Sequence, residues 1–522
     1  MQNNTISNEK KNWQIHAIKT ARQKQRKKDK RQNWKGKLTF ILNFVILLGI
    51  LMLIVLINGY GNNTKEFLLH YLKSKDFYFL IASMLMLFGV LYMYYQMDKK
   101  EFLRSPKNIF LMFCILFTSI IICYIFSKFF VLYARPCLLL AMLATVLLSK
   151  REAIFLNIVF ALMLFCIDNF TAMPEGFFVT NELAIVLSPL ITFIGGTFSI
   201  CLMGNASTRL KILVVSLIAC IPVIVLVCTL EFKFNANFFV KLSSAAFSGI
   251  LSGMFAFVLQ ALFEWLFNKV TIYRLRELTD SNAPLMKELK ERAIGTFNHS
   301  IIVAHLAESC AIAINEDATL ARAMAYYHDV GKMHQPEFFT ENQNSGRNPH
   351  DEILPELSVD IIRSHTKDGY QLLKKHGLPD VIVDATVQHH GTLPIKYFYA
   401  KAMKMTDGEV NIKEYSYNGT KPQTKLNAIL MIVDASEAIA RSLTERSAER
   451  VEQLVREVIE ERMQLEQFDE CDITLKELNI IKETIVDCLT GVYHDRVSYP
   501  KINLPTPDIM QKLEQGGVDQ SE

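Results

Sequence analysis

The chain has 522 residues, 51% of them hydrophobic and 21% charged, with a formal net charge of +4. That is too apolar for a disordered chain, and 22 Gly with 15 Pro exclude a collagen-like or low-complexity one. The charge divides into +10 for residues 1–37, +5 for 38–267 and −11 for 268–522, so three environments are implied.

Residues 1–37 hold 12 Lys or Arg against Glu9 and Asp29. The cluster Lys24, Arg26, Lys27, Lys28, Lys30 and Arg31 stands directly before the first apolar run. There it holds the N-terminus in the cytoplasm more readily than it binds nucleic acid or anionic lipid. A cleavable signal peptide is not expected, because the basic region is long and no small-residue cleavage site follows the apolar run.

Eight apolar segments follow, at 38–58, 77–95, 109–127, 136–149, 153–167, 183–203, 212–230 and 243–263. Several reach the roughly 20 residues that cross a hydrocarbon core. The fourth and fifth are short, with Lys150-Arg151 as a tight turn between them; two spans are favoured over a re-entrant pair, and either count is even. Lys99, Lys100, Arg104, Lys107, Lys150, Arg151, Arg209 and Lys211 fall on the proposed inner side. The opposite loops still hold Lys65, Lys73, Lys75, Lys128, Arg135, Lys233 and Lys241, so the bias is moderate. A transporter is disfavoured, since no ionisable group lies in a segment interior; Asp168, Lys211 and Glu264 lie at the ends. Pro189 and Gly195-Gly196 read as a kink or close packing rather than a broken helix. Seven of the ten cysteines lie in apolar stretches and no C-x-x-C pair occurs, so neither a disulfide framework nor a thiolate zinc site is indicated.

Beyond residue 267 the pattern turns amphipathic and charged. Residues 268–296 read as a helical linker in which Ser281-Asn282-Ala283-Pro284 breaks one helix and starts the next. Apolar residues at helical spacing then predict helices around 301–313, 320–327, 359–374, 426–443 and 447–465. Stretches 337–355 and 402–423 read as loops. The expected fold is all-α: a helical membrane domain of about eight spans, the first separate from a block at 77–267, then an all-helical domain at 297–500 and a polar tail at 501–522.

The soluble half holds ten of the twelve histidines. Taken singly, each is more readily a surface or core residue than a ligand. The pairs His328-Asp329 and His389-His390, at the ends of apolar helical runs, are more informative. Imidazole with carboxylate suits first-row metals such as Mn, Fe or Zn.

The run Tyr326-Tyr327-His328-Asp329-Val330-Gly331-Lys332 resembles the signature of HD-domain metal-dependent phosphohydrolases. The upstream His299, then His365, His389, His390 and Asp434 match that superfamily's remaining ligands in order. Asn348-Pro349-His350-Asp351, His389-His390-Gly391-Thr392, Lys421-Pro422-Gln423-Thr424-Lys425 and the late His494-Asp495-Arg496 resemble one branch. It is the seven-transmembrane HD-domain family of bacterial cyclic-di-AMP phosphodiesterases; the Gly-Tyr-Pro element of the cyclic-di-GMP branch is absent. Relatives in that family usually carry a large extracytoplasmic domain between the first two spans, whereas here only 59–76 separate them.

The resemblance implies a cytoplasmic domain on the bacterial inner membrane. It would hydrolyse cyclic di-AMP to linear pApA with two divalent metals, Mn or Fe, that activate a water. His299, His328, Asp329 and Asp434 are expected at one metal and His365, His389 and His390 at the second, with Asp329 bridging. Lys332 is a candidate for a catalytic phosphate contact, against the alternative of a solvated lysine after a helix-ending Gly331. Thr392 and Tyr397 are candidate substrate contacts, and His350 is as readily structural. The expected partners are cyclic di-AMP and the lipid bilayer, with a homodimer left open. The −11 charge disfavours nucleic acid, which needs a basic face. Two other readings stay open: the same metal site acting on another nucleotide, and a non-catalytic nucleotide-binding receptor.

Overall fold

A hydrocarbon interior offers the backbone no partner but itself, so long apolar runs there close into helices. The computed structural model describes residues 2–58, 64–130, 132–171, 182–204, 208–230, 235–343, 346, 348–406, 408–443 and 447–492. Among them there is no strand, only an isolated bridge between Pro394 and Ser416. The chain divides into two compact units, Met1–Leu278 and Thr279–Glu522.

The main helices of the first unit are α1 (Gln2–Asn58), α2 (Lys75–Asp98), α3 (Pro106–Phe129), α4 (Leu139–Leu147) and α5 (Lys150–Phe170). They continue with α6 (Glu182–Met203), α7 (Leu210–Leu230) and α8 (Ala236–Phe267). Seven, all but α4, are long and apolar enough to cross a membrane, and the chain is a multi-pass membrane protein. The basic tail is no separate backbone element, because α1 runs through it unbroken.

The fourth apolar segment is built differently from a simple span. A 3₁₀ turn, Leu132–Ala134, precedes the nine residues of α4. At 1.5 Å per residue such a helix covers about 14 Å, half of a hydrocarbon core of about 30 Å. Its two flanks nevertheless lie at opposite ends of the bundle. Arg135, before α4, binds Asp168 in the last turn of α5, Nη1 to Oδ2 at 2.6 Å. Arg151, after α4, binds Asp98 at the end of α2 at 2.8 Å, and Lys99 reaches Glu152 at 3.3 Å. The broken segment therefore runs the length of α5. It does so inside the protein, with seven of its nine residues buried, where irregular backbone is tolerated. The Ser248 hydroxyl of α8 donates to the Arg135 carbonyl.

Arg135 also corrects the charge reading. In the sequence it stands among the loop cations, yet it is 7% exposed and paired with Asp168, so it contributes nothing to a surface bias. The Gly195-Gly196 pair marks close packing: α6 is continuous, and a Cβ on Gly196 would fall 2.3 Å from Asn157 Oδ1.

In the second unit Pro284 opens a short helix, Pro284–Arg292, from its first position. There follow α9 (Ile294–Ala313), α10 (Ala318–Tyr327), α11 (Pro355–Lys375), α12 (Asp380–Gln388) and α13 (Lys396–Met405). The last are α14 (Lys425–Ser442), α15 (Ala448–Gln464) and α16 (Leu475–Val492). The centre is α14, whose residues from Leu426 to Asp434 are all buried and which packs on α9, α15 and α16. The 337–355 loop contains three 3₁₀ turns rather than a helix, and α13 extends into the start of the 402–423 loop.

Candidate metal centre

Six of the His and Asp side chains singled out from the sequence are buried together: His299 at 5%, His328 at 0%, Asp329 at 1%, His365 at 1%, His389 at 0% and Asp434 at 8% exposure. Helix ends and inward helix faces deliver them. His299 projects from α9, His365 from α11 and Asp434 from α14, while His328 caps α10 and His389 caps α12. Gly331 lets α11 approach the turn after Asp329, since a Cβ there would lie 1.9 Å from the His365 carbonyl oxygen. Burying this many polar groups is costly unless each is paired.

Hydrogen bonds fix the imidazole orientations. Nδ1 of His328 lies 2.7 Å from Ala325 O, that of His365 2.5 Å from Ile362 O and that of His389 3.1 Å from Ala385 O. A carbonyl only accepts, so each Nδ1 carries a proton and, in the neutral imidazole, each Nε2 presents a lone pair. His299 directs Nδ1 at Glu437 Oε2, 2.5 Å away, with the same result. The Nε2 atoms then face acceptors. His365 Nε2 and His389 Nε2 are 3.4 Å apart, and each faces Asp329 Oδ1, at 3.3 and 3.5 Å. His328 Nε2 faces Asp329 Oδ2 at 3.3 Å. His299 Nε2 lies 3.0 Å from Asp434 Oδ1. His328 Nε2 and Asp329 Oδ1 have no hydrogen-bond partner.

Lone pairs converging on lone pairs repel unless a cation lies between them, so these residues fit metal ions. Ligand atoms of His299, His328, Asp329 and Asp434 lie within 4.8 Å of one another, as do those of Asp329, His365, His389 and His390. Asp329 belongs to both groups, its Oδ2 turned to one and its Oδ1 to the other.

The carboxylates also favour positive charge on the imidazoles that face them: against burial, Asp434 and Glu437 raise the pKa of His299, and Asp329 and Asp434 raise that of His328 to about 10. Burial opposes charge on Asp329, but His328 and Lys332 outweigh it and hold its pKa well below the carboxylate range. Asp434 is likewise held well below that range, burial being overcome by the facing imidazoles of His299 and His328. Burial, helped by the neighbouring His389 and Lys332, pushes His365 down to about 3, which keeps its lone pair available. Burial opposes charge on the largely enclosed Lys332, yet Asp329 and Glu341 raise it above the ordinary lysine value. Its Nζ sits 2.7 Å from Asp329 Oδ2 and 2.8 Å from Glu341 Oε1. It is therefore not a solvated lysine.

A cleft of about 450 Å³ opens onto His299, His365, His390 and Asp434. Lys332, Phe339, Glu341, Tyr417, Glu437 and Arg441 form the rest of its functional wall. Sequence reasoning singled out only Lys332 among these. Tyr417 stacks on His390, centroids 4.3 Å apart and planes 23° from parallel. Two candidate substrate contacts do not line the cleft. Thr392 is tied to Gln467, its N–H donating to Oε1 at 3.0 Å. Tyr397 lies in the first turn of α13, 63% exposed. His350 is structural in its surroundings, with Nε2 bonded to Phe338 O at 2.9 Å and its ring against Phe398. The late His494-Asp495-Arg496 and the 501–522 tail lie outside the described residues. For Glu437 a signal existed: it stands one helical turn after Asp434, with Arg441 one turn further.

Comparison with known proteins places these features. The family described as "7TM receptor with intracellular HD hydrolase" matches residues 75–271, and the HD domain family matches 296–439. The chain is 36% identical over 433 residues to "Cyclic-di-AMP phosphodiesterase PgpH" of Listeria monocytogenes serotype 1/2a (strain 10403S), covering 79% of this chain and 57% of that protein. The protein of that name from Bacillus subtilis (strain 168) is 34% identical over 445 residues, covering 82% and 61%. The chain thus spans about three-fifths of the length of these relatives. A solved structure of the L. monocytogenes PgpH HD domain in complex with cyclic-di-AMP is 46% identical, covering 41% of this chain and 100% of that one, with a TM-score of 0.40. The chain belongs to the family of 7TM receptors with an intracellular HD hydrolase.

Proposed function

We propose that this protein is a membrane-bound phosphodiesterase that hydrolyses cyclic di-AMP to linear pApA. The observation that carries the reading is the pair of overlapping His/Asp groups that share Asp329. The names of the two PgpH relatives supply the substrate. Two divalent cations, Mn or Fe, would act there as Lewis acids on phosphoryl oxygens and bring the pKa of a water towards neutrality. His299, His328, Asp329 and Asp434 would hold one, and Asp329, His365, His389 and His390 the other.

The chain's own residues do the remainder. Lys332 carries a fixed positive charge beside Asp329, at the edge of the cleft where a phosphate gathers negative charge in the transition state. Glu341 holds that ammonium in place at 2.8 Å. Tyr417 fixes the plane of His390 by stacking. The N-terminus and the HD unit are assigned to the cytoplasmic side of the inner membrane, on the basic tail and an even number of traverses in which α4 counts as one.

The test uses the full-length protein purified in detergent. With Mn²⁺ it is expected to form pApA; a chelator should abolish turnover and added Mn²⁺ restore it. His328→Ala/Asp329→Ala should show none, and unchanged turnover in that double variant would sink the reading. Hydrolysis of another nucleotide in preference to cyclic di-AMP would keep the centre and change the substrate. Binding with no product would favour the receptor alternative.

A further inference from the structure

The four oriented imidazoles are not held alike. His328, His365 and His389 each donate Nδ1–H to a backbone carbonyl of the helix that carries or leads into them. His299 alone donates to a carboxylate, Glu437, on a different helix and 138 positions away. Glu437 has a fully buried side chain, and both of its oxygens are engaged. Oε2 takes His299, and Oε1 takes Arg441 Nε at 3.1 Å and Nη2 at 2.5 Å.

The geometry follows from helical spacing. Asp434, Glu437 and Arg441 stand at i, i+3 and i+7 on α14, so they share one face. That face presents a candidate ligand, the group that orients a second candidate ligand, and the cation that balances that group's charge. Burying a carboxylate is costly, and a neutral acceptor would satisfy Nδ1–H with less desolvation. A carboxylate does more, however. It draws on the Nδ1 proton, raises electron density at Nε2 and so strengthens the imidazole as a metal ligand. Nothing equivalent backs His365 or His389, whose acceptors are peptide carbonyls.

We infer that Glu437, supported by Arg441, is a positioning residue that makes the His299–His328–Asp329–Asp434 group the tighter of two unequal metal sites. The inference rests on the two-metal reading above and adds an order of occupancy to it. As metal is withdrawn, the ion between His365, His389 and His390 leaves first. Activity then falls while one ion per chain is still bound.

The test is a Mn²⁺ titration of chelator-stripped full-length protein in detergent, read by calorimetry and by the EPR signal of free Mn²⁺. Glu437→Gln keeps the shape and an acceptor oxygen while removing the charge. Wild type is expected to bind two ions with distinct affinities. In the variant the tighter site should weaken by about 10- to 100-fold while the other keeps its affinity. Arg441→Met should move the same site in the same direction by less. Circular dichroism and melting of the stripped proteins separate this from misfolding, which would weaken both ions together. Equal weakening of both sites, or two unchanged affinities, overturns the inference. If wild type binds fewer than two ions, the two-metal reading fails and this falls with it. If wild type binds two unequal ions but leaves cyclic di-AMP intact, the proposed substrate fails and the site asymmetry stands.

Discussion

Lys332 shows how much one side chain's surroundings decide. From its neighbours in the chain it reads as a phosphate contact, with a solvated residue after a glycine as the alternative. In the fold its side chain is 13% exposed, lies between Asp329 and Glu341, and has the Phe339 ring 5.0 Å from its ammonium. Replacing it with Met is expected to lower kcat for cyclic di-AMP by about 100-fold, the scale of losing one charged transition-state contact. Bound Mn²⁺ should be retained, because lysine is not among the ligand groups; loss of metal together with activity would count against this role. The His and Asp positions were legible because imidazole beside carboxylate at helix ends is a local sign. Glu341 and Tyr417 gave no such sign. Each is an ordinary residue until the fold sets it beside a partner that is distant in the chain.

Helix termini carry much of the second unit's order. The start of α16 is a reciprocal cap: Glu477 N donates to Thr474 Oγ1 at 3.2 Å, and Thr474 N donates to Glu477 Oε2 at 2.8 Å. Lys425 at the start of α14 then binds Glu477 Oε1 at 2.5 Å, joining two helix starts. Thr474→Ala should cost about 1 kcal/mol locally. That is read as roughly fivefold faster hydrogen exchange of the first-turn amides of α16 in the full-length protein, with the α14 core amides unchanged. The helix start at Pro284 was legible for a related reason, since proline at a first helical position loses no hydrogen bond; Pro355 opens α11 in the same way, four residues before the start expected from the apolar spacing. The fourth apolar segment was legible as apolar but not as broken. Its irregular start is acceptable because α3 and α8 pack against it, which no periodicity reports.

Across the membrane unit the buried charges act as ties between distant segments. Arg135 and Asp168 join the turn before α4 to the end of α5, and Ser188 of α6 donates to Asp168 at 3.1 Å. Removing one partner leaves the other charge uncompensated. Arg135→Met is therefore expected to destabilise the protein by about 3–5 kcal/mol, whereas Arg135→Met/Asp168→Leu should recover most of that loss. Thermal unfolding in detergent measures both, and a double variant no better than the single one would show that packing rather than charge is at stake. By itself the sequence determined an all-helical chain, a membrane half, an acidic histidine-rich half and the His and Asp residues that converge, because hydrophobic period, net charge and residue type are local properties. Only the tertiary structure decided which nitrogen of each imidazole faces inward, that one histidine is backed by a carboxylate, that Arg135 is buried, and how a nine-residue helix completes a traverse. Each of these depends on what lies across a helix interface, where a group's energy is set by partners that its own neighbours in the chain do not reveal.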